Sequence, residues 1–561
     1  MQQMTGAELI VRLLERQGVR TVAGIPGGAI LPLYDALSQR TQIRHVLARH
    51  EQGAGFIAQG MARVSGRAEV CMASSGPGAT NLVTAIADAA LDSIPLVAIT
   101  GQVPLSMVGT DAFQEVDIYG ITVPITKQNY LVRSAKELLT VIPEAFALAV
   151  SGRPGPVLID IPKDVQNQTI EFEDFPPPGG PQRMPPVEAE AVAAAADVIN
   201  TAQRPVLYLG GGVIHSGAAA LATQLAEKAN LPTTMTLMAL GALPTDHELS
   251  LGMLGMHAAR YTNLALEECD ALICVGARFD DRAIGKASQF CPRARIVHID
   301  IDPSELGKIK CVNVAVQGDV QAVLEALLPL VEAQPREAWR AQVAELKAKH
   351  PLVLEGRDDP RRHYGLVLAV AEALDDEAVI TTDVGQHQMW AAQAYPLRRS
   401  RQWLTSGGLG TMGFGLPAAI GAALAAPERT VVCFSGDGSL MMNLQEFSTL
   451  AEEGLNVKVV LMNNQALGLV FQQQNLFYGQ RVFASRFPGV PDFVRLAEGF
   501  GIAAVDLDTS EDPRATLHEA LRKPGPCLIH VSIDRKEFVY PMVPPGAANK
   551  EMIGGYHLVL Q

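Results

Sequence analysis

The chain has 561 residues, 48% of them hydrophobic, and a formal net charge of −14. At roughly 100 to 200 residues per domain this length predicts about three domains with large cores, and an acidic balance without a basic tract argues against nucleic acid or an anionic membrane as partner. Seven cysteines (71, 269, 274, 291, 311, 433 and 527) form no CxxC pair and mostly sit in apolar runs, so reduced core thiols are expected.

From the N-terminus, Ala7, Leu9, Ile10, Leu13 and Leu14 recur at helical spacing. No signal or transit composition accompanies this amphipathic pattern, and a cytoplasmic protein is expected. In Arg49-His50-Glu51-Gln52-Gly53-Ala54 a carboxylate stands just before a helix of small residues; taken alone, Glu51 reads as a helix N-terminal charge. The apolar runs 68–73 and 96–100 read as strands, and the turn Ser75-Gly76-Pro77-Gly78-Ala79-Thr80-Asn81 between them suits helix capping or an interface contact. A linker crowded with Pro and Gly at 172–187 closes an N-terminal domain at 1–171.

A central domain is predicted at 188–335. Gly210-Gly211-Gly212 follows a strand-like run, and acidic residues close later ones at Asp300 and Asp319. That is compatible with a dinucleotide, but no GxGxxG fingerprint is present, so the residues alone leave NAD, FAD and an empty structural domain open. A second, softer linker spans 336–362, followed by a C-terminal domain at 363–540 and a tail at 541–561, a candidate lid. All three domains alternate strand-like runs with helical patterns, as tandem open parallel-sheet α/β domains do. The uncharged run 404–427 is long enough to span a membrane, but Gly, Ser, Thr and Pro interrupt it, so it reads as an internal loop and buried helix.

The chemistry concentrates in the last domain. Residues 430–434 read as a buried strand ending in Ser435-Gly436-Asp437-Gly438; 440–453 read as a helix, 457–462 as the next strand, and Asn463-Asn464 ends it. Glycines that let the backbone approach a diphosphate, a helix start, and an acid and amide brought together at neighbouring strand ends are the spacing of thiamin-diphosphate enzymes. Hard oxygen donors that leave room for phosphate and water suit Mg²⁺, with Asp437 and Asn464 as side-chain ligands. Thiamin also needs a carboxyl group against N1′ of its aminopyrimidine. In that context Glu51, among small and apolar residues that would raise a carboxyl pKa, becomes the candidate.

Several runs carry a closer resemblance: Gly24-Ile25-Pro26-Gly27-Gly28, Gly152-Arg153-Pro154-Gly155-Pro156, Gly276-Ala277-Arg278-Phe279-Asp280-Asp281-Arg282, Gly407-Gly408-Leu409-Gly410-Thr411-Met412-Gly413, and the stretch 539–548. Over essentially its whole length the chain resembles the catalytic subunits of acetohydroxyacid synthase, or acetolactate synthase. The resemblance implies pyrimidine-binding, central FAD-binding and diphosphate-binding domains, with Glu51 at N1′, the Gly410 carbonyl at the 4′-amino group and Met412 as the wedge that bends the cofactor. The Ala466 carbonyl would be a third metal ligand, beside Gly436 and Gly438 at the diphosphate. For the central domain it selects FAD, mostly structural and doing no net redox chemistry. The matching positions are Arg153, Gly211, Gly212, Thr236, Leu237, Leu254, Gly255, Met256, His257, Gly276, Arg278, Asp280, Arg282, Asp300, Ile301, Asp319 and Val320.

The implied activity is decarboxylation of pyruvate and ligation of its hydroxyethyl unit to a second 2-keto acid, in branched-chain amino acid biosynthesis. Arg282 would meet the carboxylate of that second acid; Gln114 and Lys163 match further active-site positions. The resemblance also implies a homodimer, because Glu51 and Asp437 come from different subunits, and a small regulatory subunit. One position departs: Gln473 stands where the family commonly has a Trp that shapes the second-substrate pocket, so a weak preference for 2-ketobutyrate over pyruvate is expected. Glyoxylate carboligase lacks the Glu51 carboxylate, pyruvate oxidase would consume oxygen or a quinone, and a silent flavin-binding scaffold has no need of Glu51, Asp437 and Asn464 together.

Overall fold

The computed structural model describes residues 1–39, 41–489 and 491–554. Its framework is three six-stranded sheets in succession, in which every paired strand is parallel to its neighbour. Strands such as Pro156–Pro162 and Val457–Asn463 are buried at every residue, as a parallel sheet covered by helices on both faces requires. The fold is α/β throughout.

With strands numbered in chain order within each sheet, the first and third sheets share the order 2-1-3-4-6-5, while the middle sheet runs 3-2-1-4-5-6. The latter is the order in which dinucleotide-binding sheets are wound, with a crevice where the winding reverses. Beside these, Gln2–Thr5 pairs antiparallel with Thr169–Phe172, returning the end of the first unit to its beginning.

The N-terminal helix, Gly6–Arg16, buries Leu9, Ile10, Leu13 and Leu14 and starts with a capping box between Thr5 and Glu8. The helix Glu51–Ser65 crosses Gly415–Ala425 of the third unit so closely that a Cβ on Gly60 would stand 2.1 Å from the Ala418 carbonyl oxygen and one on Gly421 2.0 Å from that of Ile57. Small residues therefore seat the run 404–427 inside the protein. Among the described residues no helix is long and apolar enough to cross a membrane.

Two elements differ from expectation. The helix expected over 440–453 is interrupted, with Asp437–Leu440 and Glu446–Glu453 separated by a turn. There Asn443 Nδ2 donates to the Gly413 carbonyl at 2.7 Å and Glu446 Oε1 accepts the N–H groups of Arg49 and His50, both at 3.0 Å; these long-range bonds compete with the helix ladder. The helix Glu337–Lys349, read as part of a linker, buries Trp339 and Val343 against the middle sheet, with Trp339 Nε1 donating to the Pro205 carbonyl at 2.9 Å. Residues 173–188, where a linker at 172–187 is expected, have no regular secondary structure, and Phe172 closes the strand Thr169–Phe172. Of the seven thiols, all free, six are buried and Cys311 is exposed.

Candidate active site

In the third sheet the strands Val431–Gly436 and Val457–Asn463 are neighbours, with Gly436 beside Met462. Asp437 and Asn464 therefore leave the same sheet edge together, in the crevice beyond the strand ends where open parallel sheets bind ligands. Asp437 is only 2% exposed; backbone N–H groups of Asp437, Gly438, Asn464 and Gln465 turn toward its carboxylate, but none makes a well-formed hydrogen bond and no cationic side chain among the described residues pairs with it. Burial prevails and pushes the carboxyl up to about 6. A buried carboxylate without a cation is unfavourable. Asn464 is held in place: its Nδ2 donates to Gln386 Oε1 at 3.0 Å and its Oδ1 accepts the Ala466 N–H at 3.1 Å. Ala466 is itself buried. Gly436 keeps the turn open, because a Cβ there would stand 2.8 Å from Nδ1 of His387, and one on Gly438 2.9 Å from Leu467. The group of oxygen donors suits a hard divalent cation with an anionic ligand.

Gly410 and Met412 lie on the loop leading to helix Gly415–Ala425. Gly410 is exposed with φ at 71°, and Met412 is half-buried. Beyond Met412 the chain is pinned to its own sheet: Asp383, at the end of strand Val379–Thr382, accepts the N–H groups of Gly413 at 2.8 Å and Gly415 at 3.1 Å. Burial raises the Asp383 carboxyl to about 6.

Two adjoining cavities run from the middle unit to this loop, sharing Thr236, Arg278 and Asp280 in their walls. The first, about 360 Å³, lies between the first and middle units and is lined by Arg153, Gly211, Gly212, Gly276, Asp300, Ile301, Asp319 and Val320. Arg153 crosses it to Glu305 at 2.9 Å and Asp302 at 3.3 Å. Asp319 caps helix Val320–Leu327 by accepting the Ala322 N–H, and burial raises Asp300 to about 6. The second cavity, about 880 Å³, is lined by Leu237, Leu254, Met256, His257, Arg282, Gly410 and Gln473. His257 is kept neutral, lowered by burial to about 4. Gly255 stands behind this wall and binds Asn263 through its N–H.

Arg282 rides on the short helix Asp281–Ile284, which Asp280 caps. Its side chain is 64% exposed, and the carboxylate of Asp281 comes no nearer than 3.9 Å, so its charge is available to the cavity. The turn after it is strapped by the C-terminal segment: Asn549 Nδ2 donates to the Ala283 carbonyl at 3.0 Å, Lys286 N–H to Ala547 at 3.0 Å, and Val543 N–H to Met256 at 2.8 Å. Residues 541–554 of the expected lid are thus seated beside Arg282; residues 555–561 lie outside the described residues.

Glu51, Gln114 and Lys163 all follow strands of the first sheet, at its C-terminal edge. Glu51 opens the helix Glu51–Ser65, half-buried, and its Oε2 accepts from Asn81 Nδ2 at 2.9 Å. Gln114 is exposed in a left-handed turn, φ 59°, and Lys163 begins the helix Lys163–Asn167. None of the three lines either cavity. Asn81 ends the glycine-rich turn expected to serve capping or an interface, and its bond to Glu51 was not anticipated; Asp383, Gln386 and His387 carry no local motif and reach the site only through sheet order. His387 is buried and lowered to about 3 by that burial, with its Nδ1 edge against Gly436 and its Nε2 unpartnered among the described residues.

Comparison with known proteins bears on this arrangement. Residues 4–121 match the N-terminal TPP binding domain of thiamine pyrophosphate enzymes, 192–327 their central domain and 383–531 their C-terminal TPP binding domain; thiamine pyrophosphate is another name for thiamin diphosphate. The acetolactate synthase isozyme 1 large subunit of Escherichia coli (strain K12) is 66% identical over 552 residues, 98% of each chain. The isozyme 2 large subunit of the same organism is 48% identical over 98% of this chain and 99% of its own, and the chloroplastic acetolactate synthase 1 of Nicotiana tabacum 46% over 98% and 84%. The chain belongs to the thiamine pyrophosphate enzyme family and, within it, to the acetolactate synthase large subunits.

Proposed function

We propose that the protein is the catalytic subunit of an acetolactate synthase that joins two pyruvates to 2-acetolactate with loss of CO₂, or pyruvate and 2-ketobutyrate to 2-aceto-2-hydroxybutyrate. The observation that carries this reading is the buried Asp437 carboxylate, which no cationic side chain among the described residues pairs, beside Asn464 and the Gly436 turn, in a chain 66% identical to such an enzyme. Asp437, Asn464 and the Ala466 carbonyl would hold Mg²⁺ with the diphosphate. When bound, thiamin diphosphate supplies the electron sink for breaking one carbon–carbon bond and making the next.

The chain's own residues do the rest. Glu51, oriented by Asn81, would present its carboxyl to N1′ for proton exchange. Arg282 presents a guanidinium fork that matches a keto-acid carboxylate. The strap 541–554 keeps that arginine's turn in place. In the middle unit the sheet order and the cavity along Gly211, Asp300 and Asp319 support FAD in a structural role.

We further propose that the working unit is at least a homodimer, in which Glu51, Gln114 and Lys163 of one protomer complete the cavity containing Gly410 in the other. Exposed apolar side chains support it at both half-sites: Phe113, 87% exposed, with Met107 and Ile121 on the first unit, and Met441, Met442, Val470 and Phe483 on the third. The relatives' designation as large subunits supports a smaller regulatory partner, and the seven free thiols support a cytoplasmic location.

The test is product formation from pyruvate alone, with and without Mg²⁺ and thiamin diphosphate. Acetolactate without oxygen uptake is expected. Acetate with consumption of oxygen or a quinone would make the protein a pyruvate oxidase, and absence of turnover would favour a silent scaffold.

A further inference from the structure

The loop that carries Gly410 is gripped from outside its own unit. Helix Val83–Asp92 of the first unit presents two carboxylates one turn apart. Asp88 Oδ1 accepts from the hydroxyls of Ser406 and of Thr411, the latter at 2.8 Å. Asp92 accepts the backbone N–H groups of Gly407 at 3.1 Å and Gly408 at 2.6 Å. Arg63, on the helix that begins with Glu51, reaches both acids, at 2.8 Å from Asp92 and 3.5 Å from Asp88, and lies 4.9 Å over the Phe414 ring. The Arg63 side chain is 6% exposed and the two carboxylates are fully buried.

This arrangement is a poor choice for stability alone. Desolvating three charges offsets most of their attraction, and an apolar trio of similar volume would hold the units together as well. One guanidinium against two carboxylates leaves the imbalance to be absorbed by four donors, and all four belong to residues 406, 407, 408 and 411, immediately flanking Gly410. What the cluster adds is geometry: four directed bonds fix a glycine-rich segment that has no regular structure of its own.

We infer that Arg63, Asp88 and Asp92 form a positioning cluster for the thiamin diphosphate site, fixing loop 406–411 so that the Gly410 carbonyl is preorganised for the aminopyrimidine. This rests on the thiamin-dependent reading given under Proposed function. The same cluster ties that loop to the helix whose first residue is Glu51, so in the proposed dimer one buried network links the Gly410 of a protomer's own site to the Glu51 it lends to its partner's.

The experiment compares Asp92→Ala, Asp88→Asn and the milder Ser406→Ala with the unaltered, FAD-loaded protein. Thiamin diphosphate is titrated calorimetrically at saturating Mg²⁺, alongside the near-ultraviolet circular dichroism of the bound cofactor and the thermal midpoint without it. Asp92→Ala is expected to weaken binding about ten-fold or more and Ser406→Ala a few-fold, with an altered dichroism band and, for Ser406→Ala, an unchanged cofactor-free midpoint. Lys458→Met is the control, because it removes a buried charge that bonds the Lys523 and Gly525 carbonyls far from the loop. The proposal is overturned if Ser406→Ala and Asp88→Asn leave affinity and dichroism unchanged, or if Lys458→Met weakens binding as much at equal loss of stability. Failure of the unaltered protein to bind thiamin diphosphate overturns the thiamin reading itself, a result distinct from loss confined to the variants.

Discussion

Asn81 donates its side-chain amide to Glu51 Oε2 at 2.9 Å, so the glycine-rich turn between two strands of the first sheet orients the carboxylate that opens the neighbouring helix. A side-chain hydrogen bond of this kind contributes up to about 1.5 kcal/mol, and losing it leaves Glu51 free to rotate. Asn81→Ala is therefore expected to lower kcat about ten-fold, with FAD content and thermal midpoint near those of the unaltered protein. Steady-state kinetics on pyruvate at saturating cofactor check it; an unchanged kcat would show that Glu51 needs no support.

Asp437 sets an opposition between stability and function. Its carboxyl is raised by burial from its ordinary value to about 6, so without metal the folded state disfavours the ionised form. The sign follows: this group's contribution to stability is fully present below the unfolded pKa near 4, is lost as pH rises through about 6, and the loss above that is on the order of 3 kcal/mol. Asp437→Asn should thus raise the thermal midpoint of the cofactor-free protein at pH 7 and leave it unchanged at pH 4. The same variant should lose stabilisation by Mg²⁺ and thiamin diphosphate. Thermal scans at both pH values, with and without cofactor, check the two arms.

Legibility in the sequence follows how local each constraint is. Gly436, Asp437 and Asn464 are readable because a phosphate turn demands glycine and an acid within a few residues, and because one strand-helix-strand unit sets the spacing to Asn464. Asp88 and Asp92 belong to Val-Thr-Ala-Ile-Ala-Asp-Ala-Ala-Leu-Asp, where they pass for the polar positions of a helix; their partners lie more than 300 residues away. Gln386 and His387 reach Asn464 and Gly436 only because the first and third strands of the last sheet are neighbours. The break at Asn443 has the same origin, in a bond to Gly413 across 30 residues. Dinucleotide binding by the middle unit is supported by strand order, which no fingerprint in that stretch announces.

Gln473 is half-buried in the wall of the larger cavity, which also holds Arg282 and Gly410. An amide there offers the extra methyl group of 2-ketobutyrate no apolar surface, whereas an indole would. In competition the protein is expected to give acetolactate and acetohydroxybutyrate nearly in proportion to the two keto acids supplied. Gln473→Trp should raise selection of 2-ketobutyrate about ten-fold or more, the range one methylene commands in a fitted pocket. Strong selection by the unaltered protein, measured as product ratio, would refute the role given to Gln473.

Asn549 controls Arg282 from outside the cavity. Its Nδ2 donates to the carbonyl of Ala283 at 3.0 Å, one residue beyond the arginine, and the Lys286 N–H bond to Ala547 holds the same turn from the other side. The arginine's side chain has no close carboxylate to fix it, so its aim depends on the backbone beneath. Asn549→Ala leaves the Ala283 carbonyl without this donor, a loss of about 1 to 2 kcal/mol, and lets the turn relax. The first pyruvate does not use this arginine in the proposed reaction, so its decarboxylation should persist while capture of the second acid fails. The expected outcome is a several-fold higher KM for the accepting keto acid and a rise in acetaldehyde released per CO₂, because an uncaptured hydroxyethyl unit is protonated instead. Restoring the amide one carbon further out, with Asn549→Gln, should recover part of the ratio. A variant that loses both partial reactions equally would place Asn549 in general stability rather than in the support of Arg282.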